Sequence, residues 1–248
     1  MKYYGITDRG IARKSNQDSY IIATSRTGDL FCLVCDGIGG ARGGDVASRT
    51  AVSHISEAFS RTSGFHDESD VRLWLRDEIS AVNKVILTMG TSNERLSGMG
   101  TTLAAVLLTD SGRYIVNIGD SRVYGWKKDG TLRQLTTDHT LVEDLIRHGE
   151  LTREQAATYP RRNVVTNALG VWENVRFDLE AHNEALDGFL ICSDGLHGYV
   201  PEEKISEILC DTEHDPSLRA RRLIRQALDA GGYDNVSVIL LDLEGDAV

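Results

Sequence analysis

One stretch constrains this chain more than any other. Leu30-Phe31-Cys32-Leu33-Val34-Cys35 is continuously apolar, and it ends abruptly in Asp36-Gly37-Ile38-Gly39-Gly40. A short apolar run bounded by turn residues predicts a buried strand. Asp36 then stands where the strand leaves the core. Gly37, Gly39 and Gly40 let the backbone turn sharply and come close to whatever the carboxylate holds. A carboxylate at a strand end, with bare backbone beside it, suits the oxygen coordination of a hard cation. A plain Asp-Gly hairpin turn is the alternative. The same design returns at Phe189-Leu190-Ile191-Cys192-Ser193-Asp194-Gly195.

The length bounds the answer: 248 residues are one large or two small domains, able to bury a core without disulfide staples. A formal net charge of −10 argues against a general nucleic-acid binder. No apolar run approaches the ~20 residues of a membrane span. The opening Met1-Lys2-Tyr3-Tyr4-Gly5 has no signal pattern, and four cysteines make no disulfide framework. A reducing cytoplasm is therefore the expected setting. Cys32 and Cys35 have C-x-x-C spacing, but residues three apart in a strand face opposite sides, which predicts core packing rather than metal or redox chemistry.

In chain order, strands are predicted at Tyr3 to Asp8, Ser19 to Thr24 and the run ending at Asp36. Asp18 and Asp36 flank one hairpin, so antiparallel pairing brings them together. Val46, Ala47, Ala51, Ile55 and Phe59 share a helical face, as do Val71, Leu75, Ile79, Val82 and Ile86, with Gly90 closing the second helix. From Gly98 to Leu135 the pattern predicts an antiparallel meander with tight turns. Residues 138–169 are an excursion with two short helices, the second opened by the capping box Thr152-Arg153-Glu154-Gln155. Strands follow at Val175 to Leu179 and Phe189 to Cys192. Helices at Pro201 to Cys210 and Ser217 to Ala230 precede a last strand at Val236 to Leu241. No repeats or linkers interrupt the chain, which favours one α+β domain over residues 1–248, with antiparallel sheets inside and helices outside.

Asp18, Asp36, Asp120, Asp194 and Asp234 each fall at the end of a predicted strand, usually beside Gly or Asn. Asp129 and Asp187 also precede Gly, but in ordinary polar hairpins. If the first five converge, they cannot all stay ionised without cations. Oxygen ligands select Mg²⁺ or Mn²⁺, and none of the seven histidines shows the pairwise spacing of a zinc site. Paired divalent ions would make a hydrolytic site for phosphoryl transfer. Arg13, five residues before Asp18, is the candidate for holding a phosphate; a solvated surface arginine is the alternative.

Arg13…Asn16-Gln17-Asp18, Asp36-Gly37-Ile38-Gly39-Gly40, Gly100-Thr101-Thr102, Gly119-Asp120-Ser121-Arg122, Ser193-Asp194-Gly195-Leu196 and Asp234-Asn235 occur in this order. Together they resemble the metal-dependent protein phosphatases (the PPM family, type 2C relatives) in their compact bacterial form, over roughly residues 3 to 243. The resemblance implies a four-layer α-β-β-α sandwich, two central antiparallel sheets flanked by pairs of helices. It implies hydrolysis of phosphoserine and phosphothreonine by direct attack of a hydroxide between two Mn²⁺ or Mg²⁺ ions, without a covalent intermediate. Asp36 would bridge the ions, the Gly37 carbonyl would bind one, and Asp18 would act directly or through water. Asp194 and Asp234 would complete the pair. Asp120, with Asp194, would match a third, weaker metal site. Arg13 would hold the substrate phosphate, and residues 138–169 would match the flap that shapes substrate choice. Partners would be phosphorylated proteins, including a serine/threonine kinase and its substrates, with no nucleic acid and no membrane, and the protein would act as a monomer.

One departure concerns proton donation. Many eukaryotic members carry histidine directly after the Asp-Gly, where this chain has Ile38; bacterial relatives usually carry an apolar residue there too. A metal-held water is the first choice of donor. His139 is a distant second, because Asp138-His139-Thr140 reads as a structural start to the flap. Two rival functions are a regulatory module that has lost catalysis and a phosphohydrolase of small molecules. The first should lack a ligand carboxylate, and all are present; the second uses the same site and is separated only by comparing substrates.

Overall fold

The computed structural model describes residues 1–39 and 43–243; Gly40 of the glycine cluster lies outside the described residues. The apolar run forms β3 (Leu30–Ile38), with all six apolar residues buried. It pairs antiparallel with β2 (Asp18–Thr24), in a register that sets Asp18 directly opposite Asp36. On its other side lies β5 (Leu103–Thr109), followed by β6 (Gly112–Ile118) and β9 (Asp178–Ala181). The two-residue β4 (Gly100–Thr101) extends the pairing past Gly37. The second sheet has the order β1 (Lys2–Asp8), β11 (Val236–Asp242), β10 (Gly188–Cys192), β7 (Arg122–Trp126), β8 (Leu132–Gln134). All pairings are antiparallel.

Three apolar layers hold this arrangement together. Cys32, Val34, Ala104 and Val106 from the first sheet meet Phe189, Ile191, Ile239 and Leu241 from the second. The outer face of the first sheet packs on α1 (Gly43–Phe59) and α2 (Glu68–Ser92) through Leu33, Cys35, Ile55, Phe59, Leu75 and Ile79. The outer face of the second packs on α6 (Glu202–Leu209) and α7 (Pro216–Asp229) through Leu190, Val238, Ile205 and Leu223. The result is the α-β-β-α sandwich. Period-2 alternation decides it, since the even residues of β3 face the other sheet and the odd ones face the helices. Cys32 and Cys35 accordingly fall in different layers, both free thiols, as their opposite faces predict.

Four expectations need correction. The chain from Gly98 to Leu135 is not one meander. β5 and β6 belong to one sheet and β7 and β8 to the other, so Gly119-Asp120-Ser121 is a crossover between layers. Gly90 does not close α2, which runs on to Ser92 before Asn93 caps it in extended conformation. The strand expected at Val175 to Leu179 forms later, as β9; Val175 and Phe177 pack from a loop against the helix-side core. A short α5 (Asp194–His197) follows Ser193, where only a turn was expected. The excursion does contain α3 (Leu141–Arg147) and α4 (Arg153–Ala157), with the capping box at Thr152 and Gln155 formed.

Candidate active site

The register of the sheets carries five strand ends to one edge of the sandwich. Asp36 leaves β3 there, Asp120 lies on the crossover from β6 to β7, Asp194 follows β10, and Asp234 precedes β11. These four carboxylates line one cavity of about 530 Å³, together with Arg13, Gly37 and Thr102. Asn163 and Val165 of the excursion close one side of it. Asp18 does not line the cavity. It is buried behind Asp36, with one carboxylate oxygen accepting from the hydroxyls of Ser193 and Ser237, each at 2.7 Å.

The backbone around Asp36 is fixed from three directions. Its N–H donates to the Thr102 hydroxyl oxygen at 2.9 Å, and its carbonyl accepts from the Thr102 N–H at 2.9 Å and the Thr101 hydroxyl at 2.8 Å. The Thr102 hydroxyl also lies 2.7 Å from that of Ser121, which ties the Asp36 turn to the Asp120 crossover. Gly37 donates its N–H to the Gln17 carbonyl. Gly44, at the start of α1, meets Gly37 backbone to backbone, and a Cβ on Gly44 would lie 2.5 Å from the Gly37 carbonyl oxygen. Across the cavity a Cβ on Gly195 would collide with the Asn235 carbonyl, so glycine is what allows Asp194 and Asp234 to approach. Asn235 organises the segment before β2: its side chain accepts from the Gln17 N–H at 2.8 Å and donates to the carbonyls of Arg9 and Ser15 at 2.7 and 2.9 Å.

The electrostatics are those of an overcrowded anion site. Burial, then repulsion among the carboxylates, pushes Asp18 and Asp120 up to about 7 and Asp194 to about 6. Burial and the charges of Asp18, Asp194 and Asp120 raise Asp36 well above the carboxylate range. Asp18 Oδ1 and Asp194 Oδ1 are buried without a hydrogen-bond partner. An unpartnered buried carboxylate oxygen is costly, and a cation removes that cost. The charged donors lining the cavity are carboxylates, without a thiol or imidazole, which fits Mg²⁺ or Mn²⁺. No three His, Cys, Asp or Glu side chains among the described residues close on a single point as one ion's cage would require. That spread suits ions that take one or two carboxylates each and keep several waters.

Arg13 lies at the rim, with 50% of its side chain exposed, and donates to Asp234 Oδ2 at 2.6 Å. Ile38 faces the same cavity and brings no proton. His139 faces elsewhere. Its Nδ1 lies 3.1 Å from the Gly119 N–H and 2.9 Å from Asn167 Nδ2, and its Nε2 is 3.0 Å from Asp178. It pins the excursion to the crossover, which is the structural role its sequence context predicts.

Several contributors were not singled out from sequence. Ser193, just past β10, and Ser237, within β11, seat Asp18, and nothing in the sequence marks either as meeting a carboxylate. Thr102, Ser121 and Asn235 lay in the quoted motifs without an assigned task. Arg122 forks onto Asp138, with Nε 2.9 Å from Oδ1 and a terminal nitrogen 2.7 Å from Oδ2, and so anchors the start of the excursion. Burial opposes the charge on Arg122, but Asp138 outweighs it and keeps the guanidinium firmly protonated.

Comparison with known proteins agrees with this geometry. A family profile described as protein phosphatase 2C matches residues 11–229. The serine/threonine phosphatase stp of Listeria monocytogenes is 40% identical over 237 residues, covering 95% of this chain and 93% of the relative. Protein phosphatase PhpP of Streptococcus pneumoniae is 34% identical over 245 residues, 98% of both chains. Among solved structures, serine/threonine phosphatase Stp1 from Staphylococcus aureus superposes with a TM-score of 0.91 at 32% identity, over 98% of this chain and 95% of that one. The S. agalactiae serine/threonine phosphatase gives 0.92 at 31% identity, over 98% and 99%.

Proposed function

The chain belongs to the protein phosphatase 2C family, and on that premise we propose that its aspartate-lined cavity hydrolyses phosphoserine and phosphothreonine in proteins with two Mn²⁺ or Mg²⁺ ions held among Asp36, Asp194 and Asp234. The enzyme is a serine/threonine phosphatase of the PPM type. The observation that carries the assignment of roles is the meeting of Asp36, Asp120, Asp194 and Asp234 around one cavity with Arg13 at its rim. Asp36 and the Gly37 carbonyl would be among the groups that hold these ions. Asp18, set back and partly satisfied by Ser193 and Ser237, would act through water. Asp120 with Asp194 would hold a third, weaker ion. When bound, such ions acidify water and neutralise charge developing on the phosphoryl group.

The protein's own groups supply the rest. Arg13 would orient the substrate phosphate with its planar fork, sharing or exchanging its contact with Asp234. Thr102 and Ser121 keep Asp36 and Asp120 in fixed relation. Ile38 and His139 offer no proton to the leaving alcohol, which leaves water in the open cavity as the donor. Residues 138–169, reaching the cavity through Asn163 and Val165, would form the flap that shapes substrate choice.

Residues 1–248 act as one domain in this reading, because β1 and β11, from opposite ends of the chain, pair along their whole length. No helix among the described residues is long and apolar enough to cross a membrane. The free cysteines suit a reducing cytoplasm, and the relatives named serine/threonine phosphatases support a role opposing a serine/threonine kinase on shared substrates. The test is hydrolysis of a phosphothreonine peptide by the purified protein with Mn²⁺, abolished by EDTA and by Asp36→Ala. A metal-independent rate of similar size, or unchanged turnover in Asp36→Ala, would reject the assignment. Faster turnover of small phosphate esters than of any phosphopeptide would favour the small-molecule reading instead.

A further inference from the structure

We propose that Tyr199, Tyr233 and Ile11 form an apolar ledge at the mouth of the catalytic cavity that docks an aliphatic or aromatic side chain of the substrate polypeptide, a few residues from its phosphoresidue. This rests on reading the aspartate cavity as the catalytic site. The rings of Tyr199 and Tyr233 lie 5.6 Å apart at 37°. Tyr199 is 40% exposed, Tyr233 59% and Ile11 67%. Other large apolar side chains are exposed too, Trp172 and Val164 among them, but Tyr199 and Tyr233 are paired beside the cavity, and such patches mark interaction surfaces.

The ledge is built rather than incidental. Gly231 and Gly232 adopt φ of 123° and 55°, a turn only glycine makes without strain, and it delivers Tyr233 to the surface. The N–H groups of Ile11 and Ala12 both donate to the Gly232 carbonyl, at 2.8 and 3.0 Å, which locks the loop carrying Ile11 beside that turn. Rigid tyrosines present a large contact area at low entropic cost.

The occupant follows from continuity with the catalytic cavity. Tyr233 directly precedes Asp234, the partner of Arg13. Tyr199 lines a cleft of about 350 Å³ that shares Asp120, Asn163 and Asp194 with the catalytic cavity. A phosphoresidue held at Arg13 carries its neighbours outward at about 3.3–3.6 Å per residue, so side chains within a few positions reach the rings. The catalytic cavity is lined by carboxylates with Arg13 and Lys14, and the cleft that Tyr199 lines also carries Arg122, Arg153 and Arg162, so the rings select an apolar neighbour by contact rather than by charge.

The test uses the full-length protein with Mn²⁺, p-nitrophenyl phosphate, and phosphothreonine peptides carrying Leu or Asp at the flanking positions. The wild type should prefer the Leu peptide to the Asp peptide. In Tyr199→Ala and Tyr233→Ala, the ratio of kcat/KM for the Leu peptide to that for the small ester should fall about tenfold, through KM, as loss of an aromatic docking contact does. The Leu-over-Asp preference should shrink with it, and Tyr→Phe at either position should restore both. An unchanged ratio and preference in the double alanine variant would overturn the ledge. Absence of Mn²⁺-dependent turnover of the small ester by the wild type would instead overturn the catalytic reading, and the ledge with it.

Discussion

At the scale of single residues, the account turns on which groups meet charge and which only hold them in place. Arg13 and Lys14 are exposed cations lining the cavity, and among the described residues Arg13 pairs with Asp234. Arg13→Ala should raise KM for a phosphopeptide at least tenfold with a smaller change in kcat, and lysine should restore only part of it, lacking the planar fork. A KM within twofold of wild type would remove Arg13 from substrate binding. His139 belongs to the other class, buried and bonded to Gly119, Asn167 and Asp178. His139→Gln should lower stability by about 1–3 kcal/mol and leave the alkaline limb of the kcat–pH profile in place. Loss of that limb with an unchanged melting temperature would make it the general acid. Asp36 and Asp194 stood out in the sequence because charge interrupts apolar runs, whereas Arg13 sits in a polar stretch and gained a role only through the family resemblance. The seat of Asp18 was hidden, because a serine within a strand looks the same whether it meets solvent or a buried carboxylate.

At the scale of elements, close backbone approach does what side chains cannot. Asp194 and Asp234 come from consecutive strands of one sheet, β10 and β11, and the turn after β10 meets the loop before β11 only because Gly195 has no Cβ. Gly195→Ala should cost about 1–3 kcal/mol from overpacking and weaken Mn²⁺ binding at least tenfold, checked by thermal denaturation and calorimetric titration. Unchanged values for both would mean the loops move apart freely. The elements themselves were largely legible: hydrophobic period located α1, α2 and most strands. What could not be read was sheet membership. Gly119-Asp120-Ser121 carries the residues of a hairpin turn, yet here it passes the chain between sheets, a choice made by inter-sheet packing around Val123, Phe189 and Ile191. In the same way Val175 and Phe177 announce burial, and only tertiary contacts decide that they pack from a loop.

At the scale of the whole molecule, the fold concentrates like charges at one edge and holds them there. Asp18 and Asp120, pushed up to about 7, and Asp194, to about 6, bind protons more tightly folded than unfolded, where carboxyls titrate near 4. Their contribution to stability is therefore full below pH ~4 and is lost as pH rises through 6 and 7. The metal-free protein should lose melting temperature between pH 5.5 and 8. Saturating Mn²⁺ at about 100 times its dissociation constant should add on the order of 2.7 kcal/mol, or about 5–10 °C for a chain of this size. That gain should grow with pH, because the ions compete with protons. Melting curves with and without Mn²⁺ across that range check both slopes; parallel rises with pH would contradict the crowding of the carboxylates. The central claim is that these aspartates, distant in sequence, gather to hold a pair of divalent ions. Anomalous diffraction at the manganese edge from crystals soaked in Mn²⁺ tests it most directly. Two strong peaks inside the cavity bounded by Asp36, Asp194 and Asp234, both missing in Asp36→Asn, are the predicted result. A cavity free of anomalous density in the wild-type protein would contradict it.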